Sequence, residues 1–207
     1  MAIETKFIDD SLIKLNISKY LGRELSRAGF SRVEIQKTPI LTRITVYVLN
    51  PGRVIGRGGR TIDIITEAIK TRFKVENPQI NVMKVENKML EPLLVAKNIA
   101  EKLERGMNAR RIIQSTLREI VGNGALGAEI IASGKLAAKG ARAKSIRKSL
   151  GYIPKAGDVT ELVKEANATA YPKYGAIGVR VRIVPPGTVF PDREIKPIEI
   201  PRSILNS

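Results

Sequence analysis

One stretch of this 207-residue sequence decides the fold of its first part: Val54-Ile55-Gly56-Arg57-Gly58-Gly59-Arg60-Thr61-Ile62. Glycines at the first and last of four positions, Gly56 and Gly59, let the backbone approach a phosphate closely, because no Cβ stands in the way. A helix that begins after this loop directs free N–H groups and the positive end of its dipole at the same anion. Arg57 and Arg60 add positive charge, so the stretch is predicted to bind phosphate.

The residues around the loop have the spacing of a small α+β domain. Ile55 and Ile62 bracket the loop and are predicted to anchor the two flanking helices in the core. Two longer helices are indicated by apolar residues at helical spacing: Ile13, Ile17, Tyr20, Leu21 and Leu25, ended by Gly29, and Ile62, Ile65, Ile69 and Phe73. Three strands are predicted through the sets Val33 and Ile35; Ile44, Val46 and Val48; and Ile80, Val82 and Val85. The predicted order is α-β-β-(short α)-α-β.

The pattern Ile-Gly-x-x-Gly-x-x-Ile within this order resembles that of KH domains. The α-β pair ahead of the β-α-α-β core is similar to the type II arrangement. The resemblance implies a loop that clamps the backbone of about four nucleotides. The RNA-binding residues predicted here are Arg53, Gly56, Arg57, Gly58, Gly59 and Arg60. A glycine-rich turn without a ligand is the alternative interpretation of the loop taken by itself.

Two further glycine patterns are not nucleotide sites. Gly59-Arg60-Thr61 has the ending of a phosphate-binding P-loop, but arginine stands where lysine is required and Val54 occupies the position of the first glycine. The run 122–127 spells G-x-G-x-x-G, but a dinucleotide site needs a strand before it and a helix after it. Here a helix is predicted before and a strand after, so we interpret this run as a helix end and a tight turn.

Composition limits the class of function. The chain has 36 Lys and Arg against 20 Asp and Glu, a net charge of +16, which favours a polyanionic partner. Anionic membrane is the alternative to nucleic acid, but no window approaches the roughly 18 unbroken apolar residues of a membrane span. The absence of histidine and cysteine removes the usual general base and the commonest metal ligands. No catalytic residue, metal, cofactor or small-molecule substrate is therefore predicted, and the chain is not expected to be an enzyme.

The second part of the chain is predicted to be another α/β domain, with two helices packed on a mostly antiparallel sheet. One helix opens at Pro92, with Val95, Ile99 and Leu103 on one side, and the other covers Ala109 to Val121. Strands are predicted at 129–132, 159–164 and 179–184. The predicted organisation is a KH domain at 1–90, a second domain at 91–185 and a Pro-rich extended tail at 186–207.

Two basic surfaces are predicted in this part. Arg110, Arg111 and Arg118 lie away from the buried side of their helix, which is formed by Ile113, Leu117, Ile120 and Val121. Arg111 and Arg118 share a stripe with Gln114 between them. No acidic residue occurs from Ile130 to Gly157, where the basic residues are Lys135, Lys139, Arg142, Lys144, Arg147, Lys148 and Lys155. A solvated basic face is the alternative, but such faces normally mix both signs of charge.

These segments resemble the universal small-subunit ribosomal protein S-three family. The resemblance rests on the glycine loop, on Arg110-Arg111, and on the segments 127–136 and 175–181 in that order, and it covers about residues 1–185. It implies a ribosome-bound, cytoplasmic protein of the archaeal branch, located in the head of the small subunit. The implied partners are small-subunit rRNA, mRNA at the channel entrance and neighbouring head proteins.

The resemblance also implies a role for the arginine helix. In bacterial relatives two arginines and a lysine one turn later contact incoming mRNA and support unwinding. Arg110 and Arg111 match the two arginines, whereas Gln114 stands at the lysine position and Arg118 lies one turn further. Two other functions stay open: a nuclease or DNA lyase using a lysine of the 135–148 cluster, and a free-standing KH regulator of mRNA.

Overall fold

The structure is a computed structural model that describes residues 3–38, 40–136, 142–173 and 175–191. The chain divides into two compact units, residues 1–86 and 87–207. The sequence predicted this boundary after residue 90, four residues later than the structure has it and at the end of the short 3-10 turn Lys88–Leu90. The predicted tail lies outside the described residues from 192 onward.

The first unit is a three-stranded sheet with helices. Its elements are α1 (Ile3–Glu24), β1 (Phe30–Lys37), β2 (Thr42–Val48), α2 (Pro51–Ile55), α3 (Arg60–Phe73) and β3 (Pro78–Lys84). The sheet order is β1-β2-β3, with β1 antiparallel and β3 parallel to β2. A parallel pair needs a crossover connection, and α2 and α3 supply it. The predicted α-β-β-α-α-β order is confirmed.

The core of this unit forms around β2. Alternate residues Ile44, Val46 and Val48 are fully buried, as expected for the centre of a sheet with one covered face. They belong to the same buried set as Ile17 and Leu21 of α1 and Ile65 and Ile69 of α3, which recur at helical spacing. Hydrophobic periodicity therefore fixes which face each of these elements turns inward.

The residues that anchor the two helices beside the loop differ from the prediction. Ile55 is 43% exposed and Ile62 is only half-buried, whereas Val54 is 1% exposed. In α2, which is little more than one turn long, consecutive residues lie about 100° apart, so only one of Val54 and Ile55 can face the core. The prediction that Ile55 anchors α2 in the core is wrong, and Val54 performs that role.

The loop between α2 and α3 has a backbone that requires glycine at its first position. Gly56 has φ 75° and ψ −174°, a conformation essentially restricted to glycine. A Cβ added there would also overlap the Thr61 side chain, whose Cβ would lie at 2.8 Å. Gly58 has φ 62° and ψ 27°, but an added Cβ would meet nothing within 4 Å. Gly56 is therefore constrained by backbone and space together, and Gly58 by its backbone alone.

The second unit has two helices on a four-stranded antiparallel sheet, as predicted. Its elements are α4 (Pro92–Glu104), α5 (Ala109–Gly122), β4 (Gly127–Gly134), β5 (Lys144–Gly151), β6 (Lys164–Ala170) and β7 (Ile177–Val184). The strand order is β5-β4-β7-β6. Helix α4 packs over β6 and β7, and α5 over β4 and β5. The core between the layers includes Ile99, Ile113, Ile130, Val181 and Ile183.

Two strands of this sheet depart from the prediction. The strand predicted at 159–164 is wrong: Asp158–Leu162 is a 3-10 helix, and β6 begins at Lys164. The sequence did not predict β6, because the side chains that this strand directs toward the helices are alanines. Alanine is depleted in strands, so the pattern gives no strand signal. β5 was not predicted, because this edge strand is mostly exposed and carries only Ile146 and Leu150 as large apolar residues. The 122–127 run does join the end of α5 to the start of β4, as predicted.

We expect Gly56→Ala to lower the free energy of unfolding by roughly 1–3 kcal/mol, the cost of a backbone conformation that alanine rarely adopts. Gly52→Ala is the matched control, since Gly52 lies in α2 and an added Cβ there meets nothing within 4 Å. It should be neutral or stabilising by up to about 1 kcal/mol. Urea denaturation of the full chain, followed by circular dichroism, measures both. Equal midpoints for the two variants would contradict this account of the loop.

Candidate nucleic-acid interface

The glycine loop presents backbone donors beside positive charge. After Gly56 the chain makes a 3-10 turn, Arg57–Gly59, and α3 begins at once at Arg60. Gly59 occupies the N-cap position and supplies no side-chain hydrogen bond to the first N–H groups of α3. The first N–H of α3, that of Arg60, donates to the carbonyl oxygen of Arg57. The N–H groups that follow at a helix start lack intrahelical partners, and an anion can accept from them. Backbone N–H groups without a side-chain cap and positive charge therefore lie together at this loop.

The charged residues of the loop have unequal roles. Arg57 and Arg60 are exposed, as the prediction requires. Arg53 Nη1 donates to the carbonyl oxygen of Arg27 at 2.8 Å and so ties α2 to the preceding 3-10 turn. Asp63 lies in the first turn of α3, and its Oδ2 would be 3.9 Å from a Cβ at Gly59. Arg53 thus has a contact within the fold, and its role in RNA binding, like those of Arg57 and Arg60, stays a prediction.

Helix α5 carries the second predicted surface. Asn108 caps the helix by accepting from the backbone N–H of Arg110 at 3.0 Å. The predicted buried side is confirmed, since Ile113, Leu117, Ile120 and Val121 are at most 5% exposed. Arg110 and Arg111 are exposed and Arg118 is half-buried. The sequence periodicity therefore assigned the two faces of this helix correctly.

Part of this basic face lines a cleft of about 410 Å³ at the junction of α4 and α5. The predicted stripe residues Arg111, Gln114 and Arg118 all line it, whereas Arg110 is not among the lining residues. Lys102 of α4 also lines the cleft, and sequence reasoning missed it. The available signal was the short connection between the helices, which places the end of α4 beside the start of α5.

Strand alternation splits the basic residues of β5 between two faces. Lys148 pairs with Ile130 and Ile146 with Ala132, which are core positions on the helix side of the sheet. Lys144 and Lys148 therefore share that side, and Arg147 lies on the opposite face with Ser145 and Ser149. The predicted single basic surface is divided, although Lys144, Arg147 and Lys148 are all exposed.

Arg147 has a partner within the fold. Its Nε donates to Oε1 of Glu129, a β4 carboxylate that is 2% exposed. Arg182 Nη1 lies 3.7 Å from the other oxygen of Glu129, and Arg182 Nε also donates to Glu165 at 2.7 Å. A buried carboxylate requires such pairing. Arg147 is thus one of two arginines that compensate Glu129 across three strands.

The remaining predicted residues lie near one end of the sheet. Lys135 and Arg142 are exposed and lie just beyond the end of β4 and just before the start of β5. Lys139 falls in 137–141, outside the described residues. The described ranges contain no cluster of three potential His, Cys, Asp or Glu metal ligands and no helix long and apolar enough to cross a membrane.

Comparison with known proteins assigns both units. Residues 16–90 match the KH domain family, and residues 99–183 match the family described as ribosomal protein S3, C-terminal domain. Small ribosomal subunit protein uS3 of Methanospirillum hungatei is 42% identical over 193 residues, 93% of this chain and 81% of that protein. Its counterpart in Methanothermobacter thermautotrophicus is 43% identical over 192 residues, 92% of this chain and 74% of that protein.

These matches bear on the alternatives left open by the sequence. The relatives are named as small ribosomal subunit proteins, which agrees with the prediction that this chain is not an enzyme. The match to a ribosomal C-terminal domain disfavours a free-standing KH regulator. With identity above 40% over more than nine-tenths of its length and both units matched in order, this chain belongs to the uS3 family of small ribosomal subunit proteins.

Proposed function

We propose that the chain is a structural constituent of the small ribosomal subunit, that it binds rRNA mainly through phosphate contacts, and that it contributes to the entrance of the mRNA channel. The observation that carries the rRNA proposal is the glycine loop, where uncapped N–H groups of α3 meet the exposed Arg57 and Arg60. Contacts of this kind position RNA without reading its sequence. The proposal includes a ribosome-bound location in the cytoplasm and neighbouring head proteins as partners, and membership of the family supports it.

The role of the second unit in holding mRNA is supported by the cleft beside α5. Lys102 of α4 and Arg111 of α5 both line the cleft, and so does Arg118, which shares the stripe of α5 with Arg111. Lysine and arginine side chains that line one cleft can neutralise the phosphates of a strand bound there. Lys102 therefore offers a cation from α4 where Gln114 supplies none from α5. Arg110, exposed one residue before Arg111, extends the positive surface outside the cleft.

The basic residues at β5 support a further rRNA contact. Lys144 and Lys148 lie on one side of an edge strand, and Lys135 and Arg142 lie beyond its end. We include Lys139 in this contact on its sequence position alone. Arg147 faces the other way and bonds to Glu129, so we assign it first to the fold and only second to RNA.

Gly58→Asp is expected to weaken RNA binding about tenfold, because it places a carboxylate against the phosphate in open space. Gly58→Asn is the matched control, since both residues tolerate a positive φ and have nearly the same volume. Filter binding of an rRNA fragment at fixed ionic strength measures the difference. Equal affinities for the two variants would remove the loop from the RNA interface.

In assembled small subunits, Lys102→Ala and Arg111→Ala should each reduce crosslinking of this chain to incoming mRNA by roughly fivefold, which corresponds to about 1 kcal/mol. Arg105→Ala is the control, because Arg105 is exposed next to the end of α4 but does not line the cleft. Crosslinks that fall equally with Arg105→Ala would show a general charge effect. Unchanged crosslinks in both cleft variants would contradict the proposed mRNA contact.

Substitutions at two adjacent β5 residues should have different effects, one on stability and the other on RNA binding. Arg147→Ala leaves Glu129 with Arg182 alone and should lower the free energy of unfolding by about 1–2 kcal/mol. Lys148→Ala should leave stability unchanged and reduce the slope of log affinity against log salt by about 0.9 for duplex RNA. Urea denaturation and salt titrations of both variants measure this. The reverse pattern would contradict the assignment of the two faces.

A further inference from the structure

The turn between β6 and β7 presents an exposed aromatic ring. Tyr171 is 72% exposed, whereas every other aromatic side chain that the structure describes is buried or half-buried. A single exposed apolar residue is ordinary on a protein surface. Tyr171 differs because its backbone N–H is held by a hydrogen bond, because Lys173 lies in the same turn, and because Lys135 extends toward that turn.

Two hydrogen bonds fix the backbone of this turn. The N–H of Tyr171 donates to Glu104 Oε1 at the end of α4, at 2.9 Å. The next residue is Pro172, and its carbonyl oxygen accepts from the N–H of Gly175 at 3.2 Å, which closes the turn. Hydrogen bonds therefore hold the N–H of Tyr171 and the carbonyl oxygen of Pro172, so a ligand that packs on the ring meets a backbone already held at these two groups.

The sheet register brings positive charge to the same end of the unit. Ala170, Ile177, Gly134 and Lys144 form one row across the four strands. Tyr171 follows Ala170 at the end of β6, and Lys135 follows Gly134 two strands away, about 10 Å in backbone separation. Lys135 Cδ would be 3.9 Å from a Cβ at Gly175, so this lysine extends toward the turn. Lys173, within the turn, is also exposed.

The charge at this turn is mainly positive. Glu104 is the acidic group in contact with it, and its Oε1 already accepts the N–H of Tyr171. Lys135 opens the basic part of the segment Ile130–Gly157, which contains no Asp or Glu. A flat apolar ring among lysines suits a nucleotide, since the base stacks on the ring and the phosphates bind the ammonium groups. An acidic protein partner would use the lysines but has less need of the ring.

We propose that Tyr171 is a stacking platform for an unpaired RNA base, with Lys135 and Lys173 bound to phosphates of the same strand. The proposal rests on the RNA-binding function proposed above and adds a contact with a base to contacts that otherwise involve only phosphate. The proposal assigns single-stranded parts of RNA to this turn, because a base inside a duplex is stacked on neighbouring bases and leaves no free face for the ring.

The test uses the absence of tryptophan from the chain. Tyr171→Trp introduces a single tryptophan at an exposed position and keeps a ring for stacking. The full-length variant is titrated with single-stranded oligouridine, with duplex RNA and with heparin, a polyanion without bases. Tryptophan fluorescence should be quenched by the single strand and changed little by duplex RNA or heparin. In parallel, Tyr171→Ala should lower affinity for the single strand at least about fivefold, and Tyr171→Phe should retain it.

The outcomes separate this inference from the proposed function. If the unmodified chain binds RNA but Tyr171→Trp is not quenched and Tyr171→Ala binds oligouridine normally, the stacking platform is refuted and the wider RNA-binding proposal stands. Quenching by heparin equal to that by oligouridine would also refute it, because charge alone would then explain the signal. If the unmodified chain binds neither RNA, both proposals fail together.

Discussion

Sixteen excess positive charges on 207 residues are the constraint on which the rest of this structure depends. A compact chain with this surplus repels itself unless a polyanion lies against it. Each unit buries a core of apolar side chains. Its exposed Lys and Arg side chains lie at loops, at helix ends and on an edge strand. The fold can thus form around Ile44, Val46 and their neighbours while the charge remains available to RNA.

In the proposed function, the two units bind phosphate by different physical means. The first uses backbone, because the positive φ at Gly56 turns the chain so that α3 begins immediately after the loop with uncapped N–H groups. The second uses side chains on regular elements, at the cleft beside α5 and along β5. Some basic side chains of the second unit have partners within the fold instead. Arg147 and Arg182 both form ion pairs with the buried carboxylate of Glu129. The sequence predicted Arg147 as an RNA-binding residue and gave no sign of its bond to Glu129.

The sequence predicted the features that depend on local periodicity and backbone chemistry. The glycine loop, the alternation of β2 and the two faces of α5 all follow from neighbours in the chain, and the structure has them as expected. The features that depend on tertiary packing were missed. β5 and β6 carry too few large apolar residues to signal a strand, and Lys102 reaches the cleft only because two helices meet. Ile55 was misplaced because a one-turn helix gives no periodicity to follow.

The proposed function requires that this chain be bound to the RNA of the small ribosomal subunit. Sucrose-gradient fractionation of a cell lysate, probed for this chain at low and at high salt, measures that association. We expect the chain to sediment with the small subunit at low salt and to be released as salt rises, since phosphate contacts weaken steeply with ionic strength. A chain that remains at the top of the gradient at low salt would refute the proposed function.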